Sequence, residues 1–473
     1  MPLQAQLRTR SKPRRLRATF VGVLAAAQIV STTADAKGLI RDAEIETLIR
    51  MYARPLLSAA GLSSQAIRIH LVNDRSFNAF VVDGHNMFMH AGGLMNAKTP
   101  NQVIGVIAHE TGHMTGGHLA RLRTQVSRVK SAALMMQVLG LAAVVGSALV
   151  GAPGLGQAGL GVAYGGQDAA LRSLLAYRQD EESSADQAAV MFLNATKQSG
   201  RGMIETFEFM GSKLVGVQGI NPYLMTHPLP QQRIVILREL VESSPHYNNV
   251  DSPELQFRHD LMKAKLFGFL DEPDTVFNRY PKTDQSLAAH YARAIGTYRK
   301  SGMQAAAPLI DQLIAAKPDW PYFYELKGQF LFESGNPAAA IAPLREAVRL
   351  SPNEPLIRVM LGQALLGAND KKLVDEAVTN LRTALAREDS SAMGYRQLAA
   401  AYARKAEAAQ AVGAKKQFMA QAALASAEAY FYEGQLKLAK HQAKRARDGF
   451  IDGTPNWIKA DDILAFEIPR NND

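Results

Sequence analysis

The sequence predicts an α+β domain followed by an all-α solenoid, on three observations. Residues 37–250 mix short β-like runs with helical patterns. From residue 253 onward Ala and Leu recur at helical spacing, and several positions repeat in phase. A chain of 473 residues that is 47% apolar can build more than one core, and 20% charged residues argue against disorder.

The first 36 residues have the three parts of an export signal. A basic stretch (Arg8, Arg10, Lys12, Arg14, Arg15, Arg17) precedes an apolar run over residues 18–30, and Ala34-Asp35-Ala36 follows as an A-x-A cleavage pattern. The run is short of the roughly 20 residues a membrane span needs. The mature chain is therefore expected in a bacterial periplasm. Removing this segment takes 6 of the 53 Lys+Arg with it and leaves a charge of about +5, too mild to point to nucleic acid. Cysteine is absent, which excludes disulfides, thiol nucleophiles and Cys-ligated metals. Any metal must be held by His and carboxylates.

Residues 66–73, with Ile67, Ile69 and Leu71 alternating, and residues 78–91 read as strands, with Asp83-Gly84-His85-Asn86 as a turn. His70, His85 and His90 lack a helical partner spacing and read as structural. Residues 99–123 read as one helix, with Thr99 at the N-cap, Pro100 in the first turn and Val103, Ile104 and Ile107 on an apolar side. It contains His109-Glu110-Thr111-Gly112-His113. One helical turn separates the two imidazoles, so both reach a single ion, and Glu110 beside them is placed to take a proton from water. His118, about 140° further round, reads as a non-ligand near the site.

Two imidazoles leave a metal site incomplete. The third ligand is expected from the helical pattern that starts at Tyr177 and carries Glu182 and Asp186 one turn apart. Glu182 would bind the ion, and Asp186 would accept the second N–H of a ligand His. Glu181 would point about 100° away. Without the upstream motif the same stretch reads as a solvated acidic helix start. His227-Pro228, followed by Arg233, supplies a third element. His227 could stabilise an oxyanion, occupy the open metal position and hold the enzyme latent, or cap a loop.

Between the two ligand helices lies an apolar insert, residues 131–166. Residues 132–150 carry only Gln137 and Ser147 as polar side chains, long enough to cross a bilayer. A single crossing would put His113 and Glu182 on opposite sides, and the return stretch to Tyr177 has six Gly with Asp168 and Arg172. A mobile apolar hairpin, in reach of a membrane surface or an unfolded substrate, fits better than a span.

In the second half, Gly328, Ala340, Leu344, Ala347 and Pro352 occupy the small, Ala, large, Ala and Pro positions of a tetratricopeptide unit. Gly362 repeats Gly328 at 34 residues, whereas Ala377, Leu381 and Ala384 repeat at 37, as if three residues entered near Asn369 to Leu373. Weaker copies occur at Ala294/Ala306/Ile310 and Ala427/Ala439/Ala443/Ala446. The expected division is a signal over 1–36, a catalytic domain over 37–250, repeats over 253–450 and a tail over 451–473.

These motifs together resemble the zinc metalloproteases that include the CAAX prenyl proteases and HtpX. With the export signal and repeat array, the resemblance narrows to the periplasmic β-barrel assembly-enhancing subgroup and spans nearly the whole mature chain. It implies a gluzincin-like metalloprotease domain, one Zn²⁺ per chain on His109, His113 and Glu182, Glu110 as catalytic base, and a His227 that can regulate the ion. It also implies that a strand near residues 78–82 is the edge along which substrate lies. The chain departs from the family at Ser184, where Glu is common before Ala-Asp, and at Arg178, one position further from the ligand than usual. The expected activity is hydrolysis of misfolded or misassembled proteins, with the repeats meeting outer-membrane assembly machinery. The rival expectation is a non-proteolytic chaperone or scaffold built on the repeats.

Overall fold

The computed structural model describes residues 38–467 except 65, 83, 119, 123, 126, 128–176, 213–226 and 228–230. The export segment and the apolar insert lie outside the described residues. Among the described residues, no helix is long and apolar enough to cross a membrane.

Helix α1 (Ala43–Ala59) starts where the Asp42 side chain accepts from the Ile45 N–H. It buries Ile45, Leu48, Ile49, Tyr52, Leu56 and Leu57 at helical spacing. Three strands follow the alternation read in the sequence, β2 (Arg68–Val72), β3 (Ala79–Val82) and β4 (Asn86–His90), and a short strand not read there, β1 (Leu39–Ile40), precedes α1. Their order is β1-β2-β4-β3, with β2 and β4 parallel and β3 antiparallel to β4, so β3 ends the sheet.

Helices α2 (Ala91–Asn96), α3 (Pro100–Gly116), α4 (described over 177–195), α5 (Arg201–Ser212) and α6 (Gln231–Glu242) complete the first region. Thr99 stands at the N-cap of α3, although its side chain makes no capping bond. The helix ends earlier than the sequence reading: Gly117 takes a left-handed conformation (φ 62°) and turns the chain after Gly116. The core of this region joins α1, the sheet, α3–α6 and the first face of the next helix through Met262, Leu266 and Phe267.

The second region is helical throughout: α7 (Pro253–Leu270), α8 (Pro273–Arg279), α9 (Leu287–Ser301), α10 (Met303–Ala316), α11 (Pro321–Glu333), α12 (Pro337–Leu350), α13 (Pro355–Gly367), α14 (Val374–Leu385), α15 (Ala392–Ala408), α16 (Val412–Tyr432), α17 (Leu436–Arg447) and α18 (Pro455–Ala465). Packing is between chain neighbours, such as α11 on α12 and α15 on α16. A Cβ on Gly328 would lie 2.4 Å from Leu344 Cγ, and one on Gly362 would lie 2.7 Å from Leu381 Cγ. The same close approach thus recurs in both units. The three-residue offset between them is a 3₁₀ turn at Lys371–Leu373. Helix α18 packs on α16 and α17, so the helical region runs past residue 450 into the stretch read as a tail.

Two polar sites join the regions. Lys265 of α7 is buried with its Nζ 2.7 Å from Asp42, 3.4 Å from Glu44 and 3.7 Å from Glu325. Tyr291 and Trp320 donate to the two oxygens of Glu44. Burial works against the Lys265 charge, but these carboxylates hold its pKa well above the ordinary value. Burial in turn pushes Glu325 up to about 8.

The second site is His259, fully buried. Its Nδ1 meets the Tyr52 hydroxyl at 3.0 Å and its Nε2 the Ala97 carbonyl at 3.1 Å. These partners suit a neutral ring with its proton on Nε2. Burial lowers its pKa to about 4. A depressed folded-state pKa means full stabilisation above the unfolded value near 6.5, lost as pH falls through 4. Between these pH values wild type should lose up to ~3 kcal/mol on this account. Urea midpoints at pH 7 and 4.5 should fall less in His259→Gln than in wild type; parallel falls would contradict the assignment.

Candidate metal centre

Two helices are brought together by a missing side chain. A Cβ on Gly112 of α3 would sit 2.7 Å from the Ala185 carbonyl oxygen of α4, so only glycine permits this approach. The contact sets Glu182, one turn before Asp186, against the two imidazoles of α3. Pairwise, His109 Nε2 lies 3.1 Å from His113 Nε2 and 3.4 Å from Glu182 Oε2, and His113 Nε2 lies 3.4 Å from Glu182 Oε1. His227 joins them, its Nδ1 2.9 Å from Glu182 Oε1 and 3.4 Å from His109 Nε2. The four residues offer ligand atoms within 4.8 Å of one another.

These separations test whether a metal fits. Metal–ligand bonds of about 2.0–2.1 Å in a tetrahedron require donors about 3.3 Å apart. Five donor separations, with both Glu182 oxygens taking part, are 2.9–3.4 Å, near that edge length, and one donor atom from each of the four residues falls within 4.8 Å of the others. The donor set is three imidazoles and a carboxylate, two of the imidazoles pointing the same kind of nitrogen at each other. A shared cation resolves that opposition, so the residues present fit a metal ion.

Outer contacts fix these donors. His109 Nδ1 faces Asp186 Oδ1 at 2.9 Å. Arg233 grips Asp186 through Nε at 2.6 Å and Nη2 at 2.9 Å, and reaches Glu182 Oε2 through Nη1 at 2.7 Å. Burial opposes charge on His109, but hydrogen bonding to Asp186 and Glu182 outweighs it and raises the pKa to about 9. Burial raises the Glu182 carboxyl and the surrounding histidines more than reverse it, holding it well below the ordinary range. Asp186 is held low in the same way by Arg233. For His113, burial and the neighbouring His109 lower the pKa well below the ordinary value.

Glu110 stands beside the donors without joining them. It is 1% exposed, and neither carboxylate oxygen has a hydrogen-bond partner among the described residues. The His227 ring stands beside it, Nε2 3.6 Å from Oε1. Burial pushes its pKa up, while His227 and His109 pull it back.

Every residue singled out in the sequence for this chemistry is therefore at one place: His109, Glu110, His113, Glu182, Asp186, His227 and Arg233. Glu181 points elsewhere, bound by Arg121 and Tyr177. His70 pairs with Asn86 and His90 with Ser76, away from the site. Sequence reasoning missed one neighbour, Phe207, and placed His118 near the site as a non-ligand without its contact to His113. Phe207 of α5 sets its ring edge-on to His109 at 5.7 Å and under the Arg233 guanidinium at 5.0 Å. His118 touches His113 directly, its Nδ1 2.8 Å from the His113 Nδ1. A cavity of about 490 Å³ lies between β3 and α3, walled by Phe77, Asn78, Ala79, Val103, Val106 and Phe209.

This helix-borne donor pair, completed by a carboxylate from a second helix, has the architecture of a metallopeptidase. Residues 40–241 match the model of peptidase family M48, a likeness confined to this first region. It is similar to the β-barrel assembly-enhancing protease of Yersinia pestis, 24% identical over 333 residues, which cover 69% of this chain and 66% of the relative. The protein of that name from Escherichia coli K12 is 24% identical over 337 residues, covering 69% and 66%. A putative β-barrel assembly-enhancing protease of Vibrio cholerae is 22% identical over 292 residues, covering 60% and 58%. The matches thus span less than two-thirds of the relatives' own length.

Proposed function

We propose that this chain is a periplasmic zinc endopeptidase that cleaves misfolded or misassembled outer-membrane proteins. The observation that carries it is the cluster of four donors within 4.8 Å of one another, beside a buried Glu110 whose carboxylate oxygens lack hydrogen-bond partners among the described residues. In this reading His109, His113 and Glu182 hold one Zn²⁺, and Asp186 and Arg233 keep His109 and Glu182 in place. When bound, the ion supplies Lewis-acid polarisation of the scissile carbonyl and acidifies the attacking water. Glu110 takes the proton of that water and delivers it to the leaving amine. Substrate lies along β3, the end strand of the sheet, by strand addition, with a side chain entering the adjoining cavity.

The division near residues 250–253 separates this protease from helices that we read as tetratricopeptide repeats, on the strength of the recurring Gly328/Leu344 and Gly362/Leu381 approaches. Such a stack recruits protein partners. Clients or the outer-membrane assembly machinery are the partners that the relatives' names suggest, and export would follow from the segment over 1–36. Contact with the membrane surface belongs to the insert over 131–166.

His227 takes the fourth donor position in this reading, since its Nδ1 faces Glu182 and His109 rather than a site where an oxyanion would form. The enzyme is then latent until His227 withdraws. His227→Ala should raise the cleavage rate of an unfolded protein substrate several-fold, with chelator abolishing the gain and Zn²⁺ restoring it. Lower activity than wild type at full zinc loading would instead assign His227 to the oxyanion.

A further inference from the structure

Resting on the zinc reading above, we infer that His118 is a positioning residue: its Nδ1 accepts the outer N–H of His113 and fixes the direction of the nitrogen facing the metal. A metal on His113 Nε2 requires the ring proton on Nδ1, and a proton there needs an acceptor. His118 Nδ1 stands 2.8 Å away, the two rings nearly perpendicular at 83° with centroids 4.9 Å apart. His118 then carries its own proton on Nε2.

The backbone is built to allow this contact. Five residues along a continuous helix would carry His118 well round from His113. Instead α3 stops at Gly116, and left-handed Gly117 (φ 62°) folds the next residue back over the helix end. A Cβ on Gly116 would lie 2.1 Å from His118 Nε2 and 2.4 Å from its Cδ2, so the ring occupies space that any other residue at 116 would fill. Two glycines in succession thus serve one ring.

Packing alone does not account for an imidazole here. His118 is 3% exposed, and its Nε2 is buried without a hydrogen-bond partner among the described residues. A leucine would fill the space without burying an unsatisfied N–H, so the ring is favoured only through what Nδ1 does. The consequence is asymmetry between the two ligand histidines. His109 is backed by the Asp186 carboxylate at 2.9 Å, His113 by a neutral ring. A carboxylate raises the basicity of its histidine; a neutral acceptor mainly aims it.

The test measures zinc affinity of the full chain by competition with a chromophoric chelator, together with the visible spectrum of the cobalt-loaded form. His118→Leu and Gly116→Ala should each weaken zinc binding about 10–100-fold and change the cobalt spectrum. Thermal unfolding of the metal-free chain should stay close to wild type in each. His118→Asn, whose Oδ1 stands where Nδ1 stood, should recover most of the affinity. Wild-type affinity in His118→Leu, or better recovery by Leu than by Asn, would overturn the role and leave the protease reading standing. A wild-type chain that binds no zinc would overturn both.

Discussion

Replacing Glu110 by Gln is expected to slow peptide-bond hydrolysis roughly 10²–10⁴-fold while the metal stays in place. The substitution keeps the side chain's shape and removes only its capacity to take a proton. Both Glu110 oxygens lack hydrogen-bond partners among the described residues, so the amide breaks no existing contact there. Glu110 also lies outside the donor cluster of His109, His113, Glu182 and His227. Activity and metal content should therefore separate in this variant. Initial rates on an unfolded protein substrate, normalised to zinc measured in the same sample, provide the comparison. Near-normal cleavage by fully loaded Glu110→Gln would move the base elsewhere. A variant that lost both zinc and activity would make Glu110 part of the metal's support instead.

The histidine pair was legible because helical periodicity alone puts positions 109 and 113 on one face. The pairing of Glu182 with Asp186 was legible for the same reason, once the first motif demanded a carboxylate. The approach that joins them was not. It depends on Gly112 lying against the Ala185 backbone, and no spacing within either helix encodes a contact between helices. His118 was placed near the site as a non-ligand, but its contact with His113 was not foreseen, because the helix was extended through a left-handed glycine that rotates everything after it. His227 could be named as a site residue but not given a position, since 118 residues of chain separate it from His109.

In the second region, Gly328 and Gly362 announced themselves because each must admit a leucine from the following helix. The three-residue slip after Gly362 was visible as a change of period and is a short 3₁₀ turn. The Lys265 cluster was invisible. It draws its carboxylates from Asp42, Glu44 and Glu325, and a charged residue destined for burial looks in sequence like any solvated one.

Glu182 carries the second large effect. It alone brings a negative charge to the donor set, and its two oxygens face both His109 and His113. Gln at this position retains one weak carbonyl donor, loses the charge, and turns an amide N–H₂ toward either an imidazole or the Arg233 guanidinium that now binds the carboxylate. Affinity for zinc should fall by more than the ~10–100-fold that loss of an outer contact costs.

Elemental analysis of the purified chain, wild type beside Glu182→Gln after dialysis against a weak chelator, tests this most directly. Wild type should hold about one zinc per chain and the variant less than roughly a tenth of that. Equal zinc in the two proteins, or none in wild type, would contradict the centre described here.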